Sequence, residues 1–253
     1  MMKCAWIVWT CVWFLAAGLT IAGVAAAQTP SPSSVATGGK LYDAWWKAVP
    51  GVKQPVGDHS LWALQSTNKR KGLDTWRCKE CHGWDYKGKD GAYGSGSHKT
   101  GFAGVMASQA KSVDQLKAVM KGSTNPKHDF SGALDDTALT NLATFLKHGV
   151  IDLATAIDAK AKKPVKADAA RGKQLSIMCA ACHGPEGKRL NFGKPDEPEY
   201  VGTIAKENPW EFLHKVQFGQ PGSDPAMPTG LETGWKLQDL LDILAYSQTL
   251  PEK

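Results

Sequence analysis

Two pentapeptides of one pattern constrain this chain more than anything else in it: Cys78-Lys79-Glu80-Cys81-His82 and Cys179-Ala180-Ala181-Cys182-His183. Both read C-x-x-C-H. On a helix, thiols three residues apart project from nearly the same face about one turn apart. Two such thiols reach one edge of a flat macrocycle and add across its two vinyl groups. The next residue then offers an imidazole nitrogen to the metal at the centre. This is the pattern of covalent c-type haem attachment, with histidine as an axial ligand. Two copies imply two haem c groups.

The bland readings of C-x-x-C fit less well. Paired zinc half-sites lie about 15–20 residues apart, whereas Cys78 and Cys179 are separated by 101 residues. A thioredoxin-like dithiol needs a βαβ setting, and no alternating strand pattern of useful length occurs. The four motif cysteines leave only Cys4 and Cys11 of the six. Those two lie in an apolar N-terminal segment, so no disulfide is expected after its removal. Residues 1–27 have Lys3 as a positive start, an apolar stretch and Ala25-Ala26-Ala27 as an A-x-A cleavage pattern. They read as a secretory signal peptide. If uncleaved, the segment is long enough to act as a membrane anchor. Export places the chain in the periplasm.

The formal charge is +6. A basic balance can indicate nucleic acid, but an exported chain points instead to an acidic redox partner.

The rest of the chain divides around the motifs. Residues 28–38, with Pro30, Pro32 and three serines, read as a flexible leader. Leu41 to Ala48 forms a short helix, and residues 49–72 an irregular insertion. The glycine-rich stretch 83–104 carries Trp84, Tyr86, Tyr93 and Phe102, suited to lie along a macrocycle edge. Ser112 caps a helix that ends before Gly122, and Asp135 or Asp136 opens another to about His148. Leu139, Leu142, Ala143 and Leu146 recur at helical spacing. Residues 154–166 are a Lys/Ala-rich linker. Asp168 to Cys182 is one helix, Asn208 caps another that begins at Pro209, and Lys236 to Thr249 is the last.

The two halves superpose as sequences. Met227 follows His183 by 44 residues, and His128 follows His82 by 46. The frames Asp224-Pro225-Ala226-Met227 and Asn125-Pro126-Lys127-His128 agree, and a leucine-rich helix follows each. Met227 and His128 are therefore the expected sixth ligands. Rivals in the first half are His98, Met106, Met120 and His148. His59 and His214 read as surface residues or neighbours of a haem propionate. Trp76, Trp84, Trp210 and Trp235 lie near the motifs and can donate to propionates. Lys79, Lys87, Lys89 and Lys99 form a solvated face or a docking patch.

The second half resembles a class I cytochrome c domain. It has Arg171-Gly172-Lys173 opening the helix, Cys-Ala-Ala-Cys-His-Gly-Pro, Asp-Pro-Ala-Met-Pro and a C-terminal amphipathic helix. The first half resembles the same fold more loosely. The whole is similar to tandem di-haem class I cytochromes c. The resemblance implies an all-α chain of two class I cytochrome c-like helical domains, 39–153 and 167–253, each wrapped around one haem. The family usually carries methionine as sixth ligand in both halves, and His128 departs from that.

The expected covalent attachment residues are Cys78, Cys81, Cys179 and Cys182, and the axial ligands His82, His128, His183 and Met227. A second imidazole lowers a haem potential and a methionine raises it. Electrons would pass from a low-potential His/His haem to a higher-potential His/Met haem. An electron carrier serving redox protein partners is the leading expectation. Alternatives are a di-haem enzyme of the thiosulfate dehydrogenase or peroxidase type, or a cytochrome subunit of a larger assembly.

Overall fold

The computed structural model describes residues 29–253. The signal-segment reading of residues 1–27, with Cys4 and Cys11, lies outside them. Ten α-helices and five short 3-10 turns occur among the described residues, beside one two-stranded hairpin. The all-α expectation holds at that level. No helix of the described residues is long and apolar enough to cross a membrane.

The sequence-expected leader is a helix instead. α1 spans Pro32–Ala48 and kinks at Ala44. Ser31 caps it, its hydroxyl accepting from the Ser34 amide, and Pro32 occupies the first helical position. Val35, Ala36, Gly38 and Gly39 are buried, so 35–39 packs one face into the core rather than forming free chain. The proline and serines that suggested a loop are the helix-start signals.

α2 (Cys78–His82) carries the first motif. α3 (Val113–Met120) opens on a capping box in which Ser112 and Gln115 satisfy each other's amides. α4 (Asp136–His148) is capped by Asp135, which accepts from the Ala138 amide. α4 crosses α1. The expected stripe Leu139, Leu142, Ala143 and Leu146 is buried there, joined by Phe145, Tyr42 and Trp45. Each large apolar side chain of this kind contributes about 1.5–3 kcal/mol on burial.

The 154–166 stretch contains β1 (Ile157–Asp158) and β2 (Lys163–Pro164), paired antiparallel. The expected single helix from Asp168 to Cys182 is broken into α5 (Ala169–Leu175) and α6 (Ile177–His183). The break is at Ser176, whose hydroxyl donates to the Gly172 carbonyl at 2.7 Å, a local bond that competes with helix continuation. α7 (Val201–Glu207) precedes α8 (Pro209–Phe218), the latter capped by Asn208. α9 (Gly230–Thr233) and α10 (Leu237–Ser247) close the chain.

α10 crosses α5 as α4 crosses α1. Both crossings depend on a glycine. A Cβ on Gly38 would sit 2.1 Å from the Asn141 carbonyl oxygen, and one on Gly172 would sit 1.9 Å from that of Asp242. A second apolar cluster gathers Leu240, Leu241, Ile243 and Leu244 with Trp210, Leu213 and Val216. Trp84 of the first half belongs to this second cluster, and Phe218 of the second half to the first. α1 also touches α8 and α9, so the halves interlock.

Candidate functional site

Both motifs fold to the same local geometry. A short helix ends at the histidine, and the next residue, Gly83 or Gly184, takes φ +78°. A residue with a side chain is strained in that region. The amide of Gly83 donates to the Lys79 carbonyl and that of Gly184 to the Ala180 carbonyl, both at 2.9 Å. The His82 carbonyl accepts from Gly88 and the His183 carbonyl from Arg189, again both at 2.9 Å. The repeat seen in the sequence is thus a repeat of backbone conformation.

At the first motif, His82 Nδ1 lies 2.7 Å from the Ala103 carbonyl. Only an N–H can donate to that oxygen, so Nε2 is left with its lone pair. Burial lowers the His82 pKa to about 4, with the Ala103 bond opposing and His128 adding to the fall. The ring is neutral at physiological pH, as a metal ligand must be.

His128 ends the turn Pro126–His128, which Asn125 caps by accepting from the Lys127 amide. Burial lowers its pKa also. The structure brings its ring to His82 with centroids 6.3 Å apart and planes at 82°. Two imidazoles bound at about 2 Å on opposite sides of one metal ion have centroids about 6 Å apart. The residues present therefore fit an axially ligated iron. Phe130 abuts His128 at 5.1 Å, and His59 stacks on Phe130 at 5.6 Å.

The other first-half candidates are placed elsewhere. His98 lies 3.6 Å from the buried carboxylate of Glu80. Met106 packs against the first core and Met120 is part of it. His148 is exposed at the end of α4.

At the second motif, Cys179, Cys182, His183 and Met227 line one open cavity of roughly 1750 Å³. That exceeds the roughly 300–1,000 Å³ of ordinary small-molecule sites. His183 Nδ1 is buried without a hydrogen-bond partner, and burial keeps the ring neutral. The Met227 amide donates to Ser223 Oγ at 2.9 Å, fixing the ligand loop. The donor set of this cavity suits a haem: two thiols and an imidazole on α6 and a thioether on a separate loop.

Burial pushes the Cys78 and Cys81 thiols up to about 12. Neither is a thiolate at neutral pH in the metal-free chain. Among the described residues, no group of three or more His, Cys, Asp or Glu could hold a metal ion.

Several residues lie where the sequence did not suggest. His214 and His59 are buried rather than superficial. His214 joins Tyr86 to the Gly39 carbonyl. Lys79 is buried against Glu80 at 2.7 Å instead of belonging to a solvated face. Glu80 also accepts from Asn68 and pairs with Arg70, tying the 49–72 insertion to the motif helix. Asp43 of α1 pairs with both Arg77 and Lys215. Burial alone would raise the Asp43 carboxyl, but those two cations hold it well below the usual carboxylate range. Nothing in the local pattern marks Asp43 or His214, because their partners come from distant elements.

No family model matches the chain, and no solved structure matches it. Over 89 residues it is 32% identical to cytochrome c4 of Azotobacter vinelandii, a stretch covering 31% of this chain. The chain spans 39% of the length of that relative. The similarity, in a chain that also carries two C-x-x-C-H helices, supports a cytochrome c relationship.

Proposed function

We propose that this chain is an exported di-haem c-type cytochrome that passes electrons between redox proteins. The reading is supported by the closeness of His128 to His82, with ring centroids 6.3 Å apart, and by the presence of Met227 and His183 in one cavity lining. Cys78 and Cys81 would hold one haem, and Cys179 and Cys182 the other. Bound there, the haems supply one-electron exchange.

The protein's own contribution is ligation and environment. The Ala103 carbonyl orients His82, and the Ser223 hydroxyl holds the Met227 loop. The His82/His128 pair sets a low potential and His183/Met227 a higher one. Electrons then run from the first site to the second. Two ligands at each iron leave no position for substrate, which favours a carrier over a peroxidase or thiosulfate dehydrogenase. The net positive charge favours acidic partners.

The test is potentiometric titration with low-temperature EPR on protein of known intact mass. Two haem masses per chain and two separate potentials, one with bis-imidazole and one with imidazole–thioether spectra, are expected. Equal potentials with matching spectra would refute the relay. Rapid carbon monoxide binding to the first haem would favour an enzyme.

A further inference from the structure

The wall of the second cavity is not built by the second half alone. Its lining includes Cys179, Cys182, His183 and Met227. It also includes Arg70, Arg77 and Lys79 of the first half, together with Lys215 of α8. Arg77 and Lys79 flank Cys78, so the first motif helix contributes cations to the second motif's cavity.

A haem held by thioethers at one edge presents two propionate carboxylates at the opposite edge. The end of such a group remote from Cys179 and Cys182 is therefore anionic and needs charged or N–H donors. Beneath the cations lies Trp84. Its ring centroid is 5.9 Å from Arg77 Cζ, 5.2 Å from Lys79 Nζ and 5.3 Å from Lys215 Nζ. Trp84 is 1% exposed, and its indole N–H is buried without a partner. Buried donors are almost always paired, so the orphan indole N–H beside these cations calls for an acceptor.

The four cations are grouped around two buried carboxylates. Arg77 and Lys215 share Asp43, while Lys79 and Arg70 share Glu80. Asp74 reaches the two arginines only at 3.5 Å and is half-exposed. Glu211 lines the same cavity, and its charge acts on Arg77 and Lys79 as well.

We infer that the first half completes the second site: Arg77 and Lys79, with Lys215, receive the propionate carboxylates of the group attached at Cys179 and Cys182. This rests on the haem assignment of the second site. The first half is thus a structural part of the second cofactor's binding site as well as a redox centre of its own.

The experiment uses the full chain made with haem labelled with carbon-13 at its carboxyls and reduced to the ferrous state. Lys79→Gln/Glu80→Gln leaves the net charge unchanged while Arg70 also loses its Glu80 partner, so a single variant is read beside it. Lys215→Gln is the second variant, and reports if the double variant fails to assemble. Intact mass first establishes two haems per chain. With two haems present, the carboxyl resonance of the His183/Met227 haem is expected to move in either variant, and its titration to shift to higher pH. Unchanged carboxyls on that haem, or movement confined to the His82/His128 haem, would overturn the inference. A wild type with no haem at Cys179 and Cys182 would instead sink the assignment on which it rests.

Discussion

The Tyr86 hydroxyl meets Nδ1 of His214 at 2.7 Å, joining the loop after the first motif to a helix 128 residues away. Nε2 of the same ring lies 2.9 Å from the Gly39 carbonyl. Trp84, Tyr42, Phe145 and Phe218 surround the imidazole with centroids 4.8–5.8 Å away. One side chain thereby stitches the first-half loop, α1 and α8 together.

Burial holds the His214 pKa down to about 3. The unfolded chain takes up this proton near pH 6.5, and the folded one only near 3. The contribution of neutral His214 is therefore fully present above about pH 6.5 and is lost as pH falls toward 3. Urea unfolding of the wild type should weaken through that window by about 4 kcal/mol. His214→Phe removes two hydrogen bonds and strands the Tyr86 hydroxyl, costing about 2–4 kcal/mol at pH 7. It should also flatten the acid slope. A variant with the wild-type slope would show that another group sets it.

His128→Met replaces an imidazole with a thioether opposite His82. The expected outcome is a raised potential for one haem alone, with the other unchanged, read by potentiometric titration. If neither potential moves while both haems remain attached, His128 is not a ligand.

Glu80→Gln leaves Lys79 and Arg70 without their shared carboxylate. Breaking a buried pair of this kind costs about 3–5 kcal/mol. Arg70 is partly exposed, so the low end is expected. The readable consequence is local. Residues 49–72 are anchored to α2 through Asn68 and Arg70, and limited proteolysis should cut this segment faster in the variant. Equal cleavage rates would mean the insertion is held by other contacts.

Gly38→Ala and Gly172→Ala both drive a methyl into a backbone carbonyl of the crossing helix. Overpacking costs about 1–3 kcal/mol, and backbone yields less readily than side chain, so thermal midpoints should fall clearly in both. Gly132→Ala meets open space and should lie within about 0.5 kcal/mol of wild type.

Those two glycines show what could be read in the sequence. Arg171-Gly172-Lys173, seven residues before Cys179, was legible as a helix opening toward its motif. Gly38-Gly39-Lys40 plays the same part in the first half, yet the 49–72 insertion puts it 40 residues before Cys78. Local spacing then no longer links helix to motif, and Pro32 with its serines resembled a leader. The caps at Ser112, Asp135 and Asn208 were readable because a cap is a contact over three residues. The break at Ser176 was not, because it depends on one hydroxyl turning back on the chain. His214 and Asp43 were invisible for a different reason. Their partners lie 175 and 172 residues away, and no periodicity records such pairs.

α1 lies against α4 on one side and α8 on another, so the place where the chain divides differs from the place where the molecule divides. A protease nick in the 157–164 hairpin would leave two fragments that remain clasped, with Asp43 still gripping Lys215 and Gly39 still bonded to His214. A gene cut at the same point would release a second half whose α8 presents an uncovered Phe218 and an unpaired lysine. Among the described residues α1 is the first helix in the chain, yet it is fully covered only once α8 and α9 have followed.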